Sequence, residues 1–222
     1  KSYEVHAVLQ AEVALRLLER LDDETFVPLR ALDVGCGGGP GRVGVPGGVP
    51  AAGGRGLGRG WQMRGVAARR LEATPNASRV CADAQALPLA DASIDFVHSN
   101  LVLQWCEDPG LALAEFRRVL RPGGVLLFST FGPGTLHELR SAFASVDTTP
   151  HVSRFVDMHD IGDALLATGF RDPVLERDDF TVTYADARTL MRELRVIGAT
   201  NADAKRQRSL TGKAHLQRVI AA

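Results

Sequence analysis

The sequence predicts an α/β fold: a mostly parallel sheet with helices on both faces and one antiparallel strand at the edge. Three observations lead there. Ala31-Leu32-Asp33-Val34 is a short apolar strand that runs into the alternating glycines Gly35, Gly37 and Gly39, a turn where backbone can approach a ligand closely because glycine has no Cβ. Strand-like and helix-like segments alternate along the rest of the chain, the pattern of a parallel sheet. Val125 to Phe131 (V-L-L-F-S-T-F) reads as a continuous strand covered on both faces.

The elements follow in order. Val5, Val8, Leu9, Val13, Leu17 and Leu21 recur at helical spacing. Arg30 to Val34 is the first strand, Val80 to Ala82 a short one ending at Asp83, and Ser93 to Ser99 (S-I-D-F-V-H-S) another. Pro109 to Leu120 reads as a helix, since proline suits a first turn, and Arg121-Pro122-Gly123-Gly124 should stop it. After Val125 to Phe131 come helices at about Thr135 to Ala144 and Asp160 to Thr168, the second ended by Gly169-Phe170. Val174 to Tyr184 offers two short strands around Arg177-Asp178-Asp179 as the antiparallel edge, and Ala187 to Ile197 a last amphipathic helix.

At 222 residues the chain is one domain by size and long enough for a substantial core. Lys+Arg and Asp+Glu balance at 26 each, so no global charge draws it to nucleic acid or an anionic membrane. Cys36, Cys81 and Cys106 are odd in number and far apart, as free thiols in a reducing compartment are. No apolar run approaches membrane-span length. A cytoplasmic monomer with no membrane or nucleic-acid partner is expected. The chain begins at Lys1 instead of Met, so residues before it are expected too.

One segment resists this pattern. Between Gly37 and Gly65 there are 13 glycines in 29 positions, with Pro40, Pro46 and Pro50 besides. From Val34 to Leu71 there is no Asp or Glu, against six arginines. Helix propensity there is poor, at about 1 kcal/mol per Gly relative to Ala and about 3 per internal Pro. Residues 40–70 are therefore expected to be the least ordered part of the chain. Text of this composition and preserved length is what a GC-rich gene yields when read in a shifted frame and then restored, and we read the segment so.

The D-x-G-x-G-x-G turn at Asp33 resembles motif I of class I S-adenosylmethionine-dependent methyltransferases. Further on the likeness sharpens: C-A-D-A-Q-A-L-P-L-A-D-A-S-I-D-F-V-H-S-N-L-V-L-Q-W-C (Cys81 to Cys106), F-R-R-V-L-R-P-G-G (Phe116 to Gly124), F-S-T-F-G-P-G-T-L-H-E-L-R (Phe128 to Arg140) and H-V-S-R-F-V-D-M-H-D-I-G-D-A-L (His151 to Leu165). These resemble the malonyl-acyl-carrier-protein O-methyltransferases of early biotin synthesis, over residues 3–36 and 80–213. Family members usually continue past Ala222, so this chain is expected to be shortened at its C-terminus. The S-N-L-x-L-Q-W, F-S-T-F-G-P and D-M-H-D-I-G-D elements are the specific ones, while L-R-P-G-G is shared widely.

The resemblance implies methyl transfer from S-adenosylmethionine to the free carboxylate of a malonyl thioester on acyl carrier protein. A carboxylate is already ionised, so alignment and removal of water matter more than a strong base. By the same resemblance Asp33, Gly35, Gly37 and Gly39 would line the methionine end of the cofactor, with Cys36 among them as a small packing residue. Asp83 and Ala84 would read adenine, and Asn100 and Leu101 would sit at the carboxyl edge of the sheet. Gln104 and Trp105 would face the methyl group or the acyl arm. Tyr3, His151, Arg154 and His159 are the substrate-side candidates, because a hydroxyl, a guanidinium and imidazoles can orient a carboxylate; Tyr3, Trp105 and His159 are assigned to the reacting centre. The family also carries an acid after its second strand for the ribose hydroxyls, whereas Ala52-Gly53-Gly54-Arg55-Gly56-Leu57-Gly58-Arg59-Gly60 has none. Weak cofactor binding is the consequence expected.

Plainer readings stand beside these. Gly39-Pro40-Gly41-Arg42-Val43-Gly44 spells G-x-G-x-x-G, a chance match in so glycine-rich a segment. Asp95 reads as structural, and Trp105 and Phe131 as core or pocket wall. No third ligand at metal spacing accompanies His151 and His159, so no metal is expected. Arg188, Arg192, Arg195, Lys205, Arg206, Arg208, Lys213 and Arg218 outnumber Glu193 and Asp203, forming either a solvated face or a dock for acidic acyl carrier protein. Methylation of another small carboxylic acid, or a degenerate chain that binds no cofactor, are the alternative functions.

Overall fold

The structure, a computed structural model, describes residues 8–21, 28–35, 82–196 and 217–220, and the backbone of 55–57 and 78–80. Its elements are α1 (Val8–Leu18), β1 (Ala31–Val34), β2 (Arg55–Leu57), β3 (Ser78–Val80), β4 (Ile94–Asn100), a 3-10 turn (Leu103–Trp105), α2 (Pro109–Val119), β5 (Leu120–Ser129), α3 (His137–Ala144), α4 (Met158–Ala167) and α5 (Ala187–Val196). The chain forms two compact units, one of residues 7–130 and 161–173 and the other of 1–6, 131–160 and 174–222.

The first unit holds the sheet, ordered β3-β2-β1-β4-β5 with every described pairing parallel. Strands after β1 are laid to one side and then to the other, which puts a topological switch point between β1 and β4. Leu32, Val34, Ile94 and Val97 are almost wholly buried, as strands covered on both faces should be. On β5 and the 3-10 turn packs α2, whose Ala112, Leu113, Phe116 and Val119 form one helical stripe with none of the four more than 0% exposed. The Asp108 carboxylate caps α2 by accepting from the Gly110 and Leu111 N–H groups, and Pro109 occupies the first turn.

The Arg-Pro-Gly-Gly element ends α2 as expected, but not in a loop. β5 begins at once at Leu120, which pairs with Ile94, and the next pairing joins Phe96 to Val125. Arg121 to Gly124 thus bulge out of the ladder. Gly123 takes φ +78°, and a Cβ on Gly124 would lie 3.0 Å from the Asp95 carbonyl oxygen, so both glycines are required. Asp95 is the anchor beneath: its carboxylate accepts from the Leu29 and Arg30 N–H groups at 2.7 and 2.8 Å and pairs with the Arg121 guanidinium at 2.6 Å. The structural reading of Asp95 fits this placement.

One expectation needs correction. The antiparallel edge strand is not found, because residues 170–184 carry no strand. That stretch is largely exposed, and Arg177 pairs locally with Asp179 at 3.0 Å instead of joining a ladder. Within the Gly/Arg/Pro-rich segment Arg55–Leu57 forms an inner strand, with Gly56 in register with Asp33 on one side and Arg79 on the other. Ladder bonds use backbone alone, so two neighbouring strands can recruit a glycine-rich stretch that has little propensity of its own. The remainder of 40–70 lies outside the described residues.

In the second unit Phe131 and Phe155 meet edge-on at 5.4 Å, and Phe143 stacks on His151 at 4.2 Å. The Tyr184 hydroxyl donates to Glu193 of α5 at 3.3 Å, and burial with this neighbouring carboxylate pushes the phenol up. No helix among the described residues is long and apolar enough to cross a membrane.

Candidate active site

β1 and β4 run side by side with Asp33 opposite His98, and their carboxyl ends carry Gly35 and Asn100. Gly35 takes φ +74°, and a Cβ there would overlap the Val102 side chain. The turn after β1 therefore packs directly on the segment after β4, which only glycine permits.

The β4 edge is held by a continuous set of hydrogen bonds. The Ser129 hydroxyl donates to Asn100 Oδ1 at 2.7 Å and accepts from the Leu101 N–H at 3.1 Å. Asn100 Nδ2 donates to the Gln10 carbonyl at 2.9 Å, which ties α1 to the edge. Gln104 Nε2 donates to the Leu101 carbonyl at 2.7 Å, and the Thr130 hydroxyl to Gln104 Oε1 at 3.3 Å. Leu101 sits at φ +52°, a left-handed conformation costly for a branched side chain, and this network together with its buried side chain holds it there. Trp105 is 39% exposed, so it is a surface wall rather than core.

Asp83 Oδ1 accepts from the Gln85 N–H at 3.1 Å in a tight turn, and Ala84 beside it is buried. The Arg118 guanidinium steadies the loop that follows, donating to the Leu87 and Leu89 carbonyls, to Asp91 and to Glu115. The Arg118 hydrogen bond holds the Glu115 carboxyl below its ordinary range, and Glu115 with Asp91 raises Arg118 in turn.

Sequence reading missed His98. Its Nδ1 lies 3.1 Å from Asp33 Oδ1, with side chains 7% and 18% exposed. The available signal was an ionisable residue inside the strand read at Ser93 to Ser99.

The substrate-side candidates belong to the second unit. His151 Nε2 lies 2.9 Å from Asp147 Oδ2 while its ring stacks on Phe143. Arg154 is exposed. His159 opens the first turn of α4 with its side chain 88% exposed and Nδ1 2.9 Å from Asp157, whose carboxyl is held low mainly by the His159 backbone N–H. Tyr3, Cys36, Gly37 and Gly39 lie outside the described residues.

The edge of the first unit suits S-adenosylmethionine at its methionine end. Asp33 offers a carboxylate at the switch point, Gly35 lets the turn close on Val102, and Gln10 Oε1, His98 Nε2 and Ser99 Oγ are buried with no hydrogen-bond partner among the described residues. The ribose end is the poor fit, because the residue after β2 is Gly58 and no acid stands near it in the chain.

Residues 32–128 match the methyltransferase domain family. The chain is 47% identical over 222 residues to a malonyl-[acyl-carrier protein] O-methyltransferase of Xylella fastidiosa, covering 100% of this chain and 75% of that one. It is 46% identical over 220 residues to the protein of the same name in Halorhodospira halophila, covering 99% and 75%. A SAM-dependent methyltransferase structure from Thermotoga maritima superposes with a TM-score of 0.56 at 22% identity, over 77% of each chain, which establishes the likeness of fold.

Proposed function

The chain belongs to the malonyl-[acyl-carrier protein] O-methyltransferase family, and from that premise we propose that it methylates the free carboxylate of a malonyl thioester borne by acyl carrier protein, in biotin synthesis. Similarity to enzymes of that name along this whole chain and 75% of theirs carries the reading. The methyl donor is S-adenosylmethionine, which when bound supplies a methyl group on a sulfonium and so needs no further activation.

The chain's own residues bind and align. Asp33, with the turn at Gly35, would hold the methionine end, and Asp83 with Ala84 the adenine. Asn100 and Leu101 would form the floor between them, the Asn100 side chain acting through α1 and Ser129 rather than on the cofactor. Gln104 and Trp105 would wall the path to the methyl group, excluding water from the incoming carboxylate. Tyr3, His151, Arg154 and His159 would orient that carboxylate, Arg154 by a charge-assisted hydrogen bond. The exposed arginines of α5, Arg188, Arg192 and Arg195, would meet the acidic carrier protein. We take the working protein to be a cytoplasmic monomer.

Incubation with S-adenosylmethionine and either malonyl- or acetyl-acyl carrier protein tests the reading by mass spectrometry. Malonyl carrier should gain one methyl group and acetyl carrier none. Methylation of a free tricarboxylic acid but not of malonyl carrier would overturn the substrate; failure on every acid would leave a non-catalytic relative.

A further inference from the structure

We propose that His98 is a positioning residue for Asp33, holding Oδ1 so that Oδ2 is presented to the ammonium group at the methionine end of the cofactor. The inference rests on the cofactor reading above.

Asp33 and His98 are register partners on adjacent parallel strands, so their side chains rise from the same level of the sheet at the switch point. An ionised carboxylate can only accept, so the ring proton sits on Nδ1 and His98 donates across the 3.1 Å contact. Of the two neutral tautomers, the one that makes this bond leaves Nε2 as an acceptor, and Nε2 is buried with no hydrogen-bond partner among the described residues. Buried imidazoles are ordinarily satisfied at both nitrogens. Among the described residues the bond to Asp33 is the one polar contact offsetting the ring's burial beside Phe96, whose ring centroid is 6.4 Å away. A neutral donor also suits this role, because it fixes the rotamer of Asp33 without cancelling its charge, as a lysine or arginine in its place would. Asp33 Oδ2 has no partner among the described residues and is left to a cationic ligand.

Calorimetric titration with S-adenosylhomocysteine and with methylthioadenosine, which lacks the amino acid end, tests this. His98→Phe should weaken S-adenosylhomocysteine about tenfold and leave methylthioadenosine unchanged. His98→Asn, whose amide can still donate, should retain most of the affinity. In the unaltered protein the imidazole nitrogen spectrum should show a protonated Nδ1 and a bare Nε2, with Nδ1 moving on addition of S-adenosylhomocysteine and not of methylthioadenosine. Equal weakening of both ligands, or none, in His98→Phe would overturn the assignment, as would an Nε2–H tautomer in the unaltered protein. Should His98→Phe not fold, His98→Asn and the spectrum decide. Failure of the unaltered protein to bind S-adenosylhomocysteine would instead overturn the cofactor reading, and this inference with it.

Discussion

Ser129 donates its hydroxyl proton to Asn100 Oδ1 at 2.7 Å, joining the ends of β5 and β4. The opposite end of the same amide donates to the Gln10 carbonyl, so one asparagine fastens both β5 and α1 to the sheet edge. Asn100→Asp keeps the acceptor for Ser129 but sets a carboxylate oxygen against the Gln10 carbonyl. Hydrogen exchange over α1 should quicken, and S-adenosylhomocysteine should bind more weakly. Ser129→Ala should cost about 1–3 kcal/mol, since the Asn100 oxygen loses its donor. Unchanged exchange in α1 after Asn100→Asp would show that the helix is held by apolar packing alone.

Asp95 serves two backbone N–H groups and one guanidinium from a position 3% exposed. Asp95→Ala leaves all three donors without their acceptor. The loss of stability should be on the order of 3 kcal/mol, read from the urea midpoint. A loss below about 1 kcal/mol would mean that water replaces the carboxylate at low cost.

Glu115 sets a pH dependence. Its folded-state pKa is lowered, chiefly by the Arg118 hydrogen bond, so its contribution to stability is complete above the unfolded-state value and is lost as pH falls through the folded one. Unaltered protein should therefore exceed Glu115→Gln in stability at neutral pH, and the gap should close as the solution is acidified. A gap that persists in strong acid would assign the difference to packing.

Gly58 directly follows β2, where a ribose-binding acid is expected in folds of this order. Gly58→Asp should tighten S-adenosylhomocysteine by about tenfold, the worth of a charge-assisted hydrogen bond. No change in calorimetric affinity would show that lack of the acid is not what limits binding.

Arg192 and Arg195 are exposed on α5, and the Asp186 carboxyl before it is held low chiefly by hydrogen bonds from Thr189, with Arg192 adding least. Charge reversal of Arg192 and Arg195 should raise KM for malonyl-acyl carrier protein, most strongly at low salt, while sparing malonyl-coenzyme A. Equal losses on both substrates would indicate a misfolded helix instead of a lost dock.

Much of this was readable from local sequence. Pro109 announced the start of α2, the alternating glycines announced the turn after β1, and S-N-L-V-L-Q-W marked the segment that follows β4. Such signals depend on neighbours a few residues apart, where backbone sterics and helical or strand spacing act directly. They also identified the family, because its motifs lie within short runs.

Tertiary structure alone decided the rest. Asp33 meets His98, and Asp95 meets Arg30, across 65 residues of chain in each case, and only the β1–β4 register brings them together. The Arg-Pro-Gly-Gly run became a bulge because β5 had to stay in register with β4, not because its residues prefer one. Arg55–Leu57, in a segment whose propensities argue against a strand, was drafted into the centre of the sheet by backbone ladders on both sides. Val174 to Tyr184, read as two short strands around Arg177-Asp178-Asp179, formed none, since a strand is completed only by a partner.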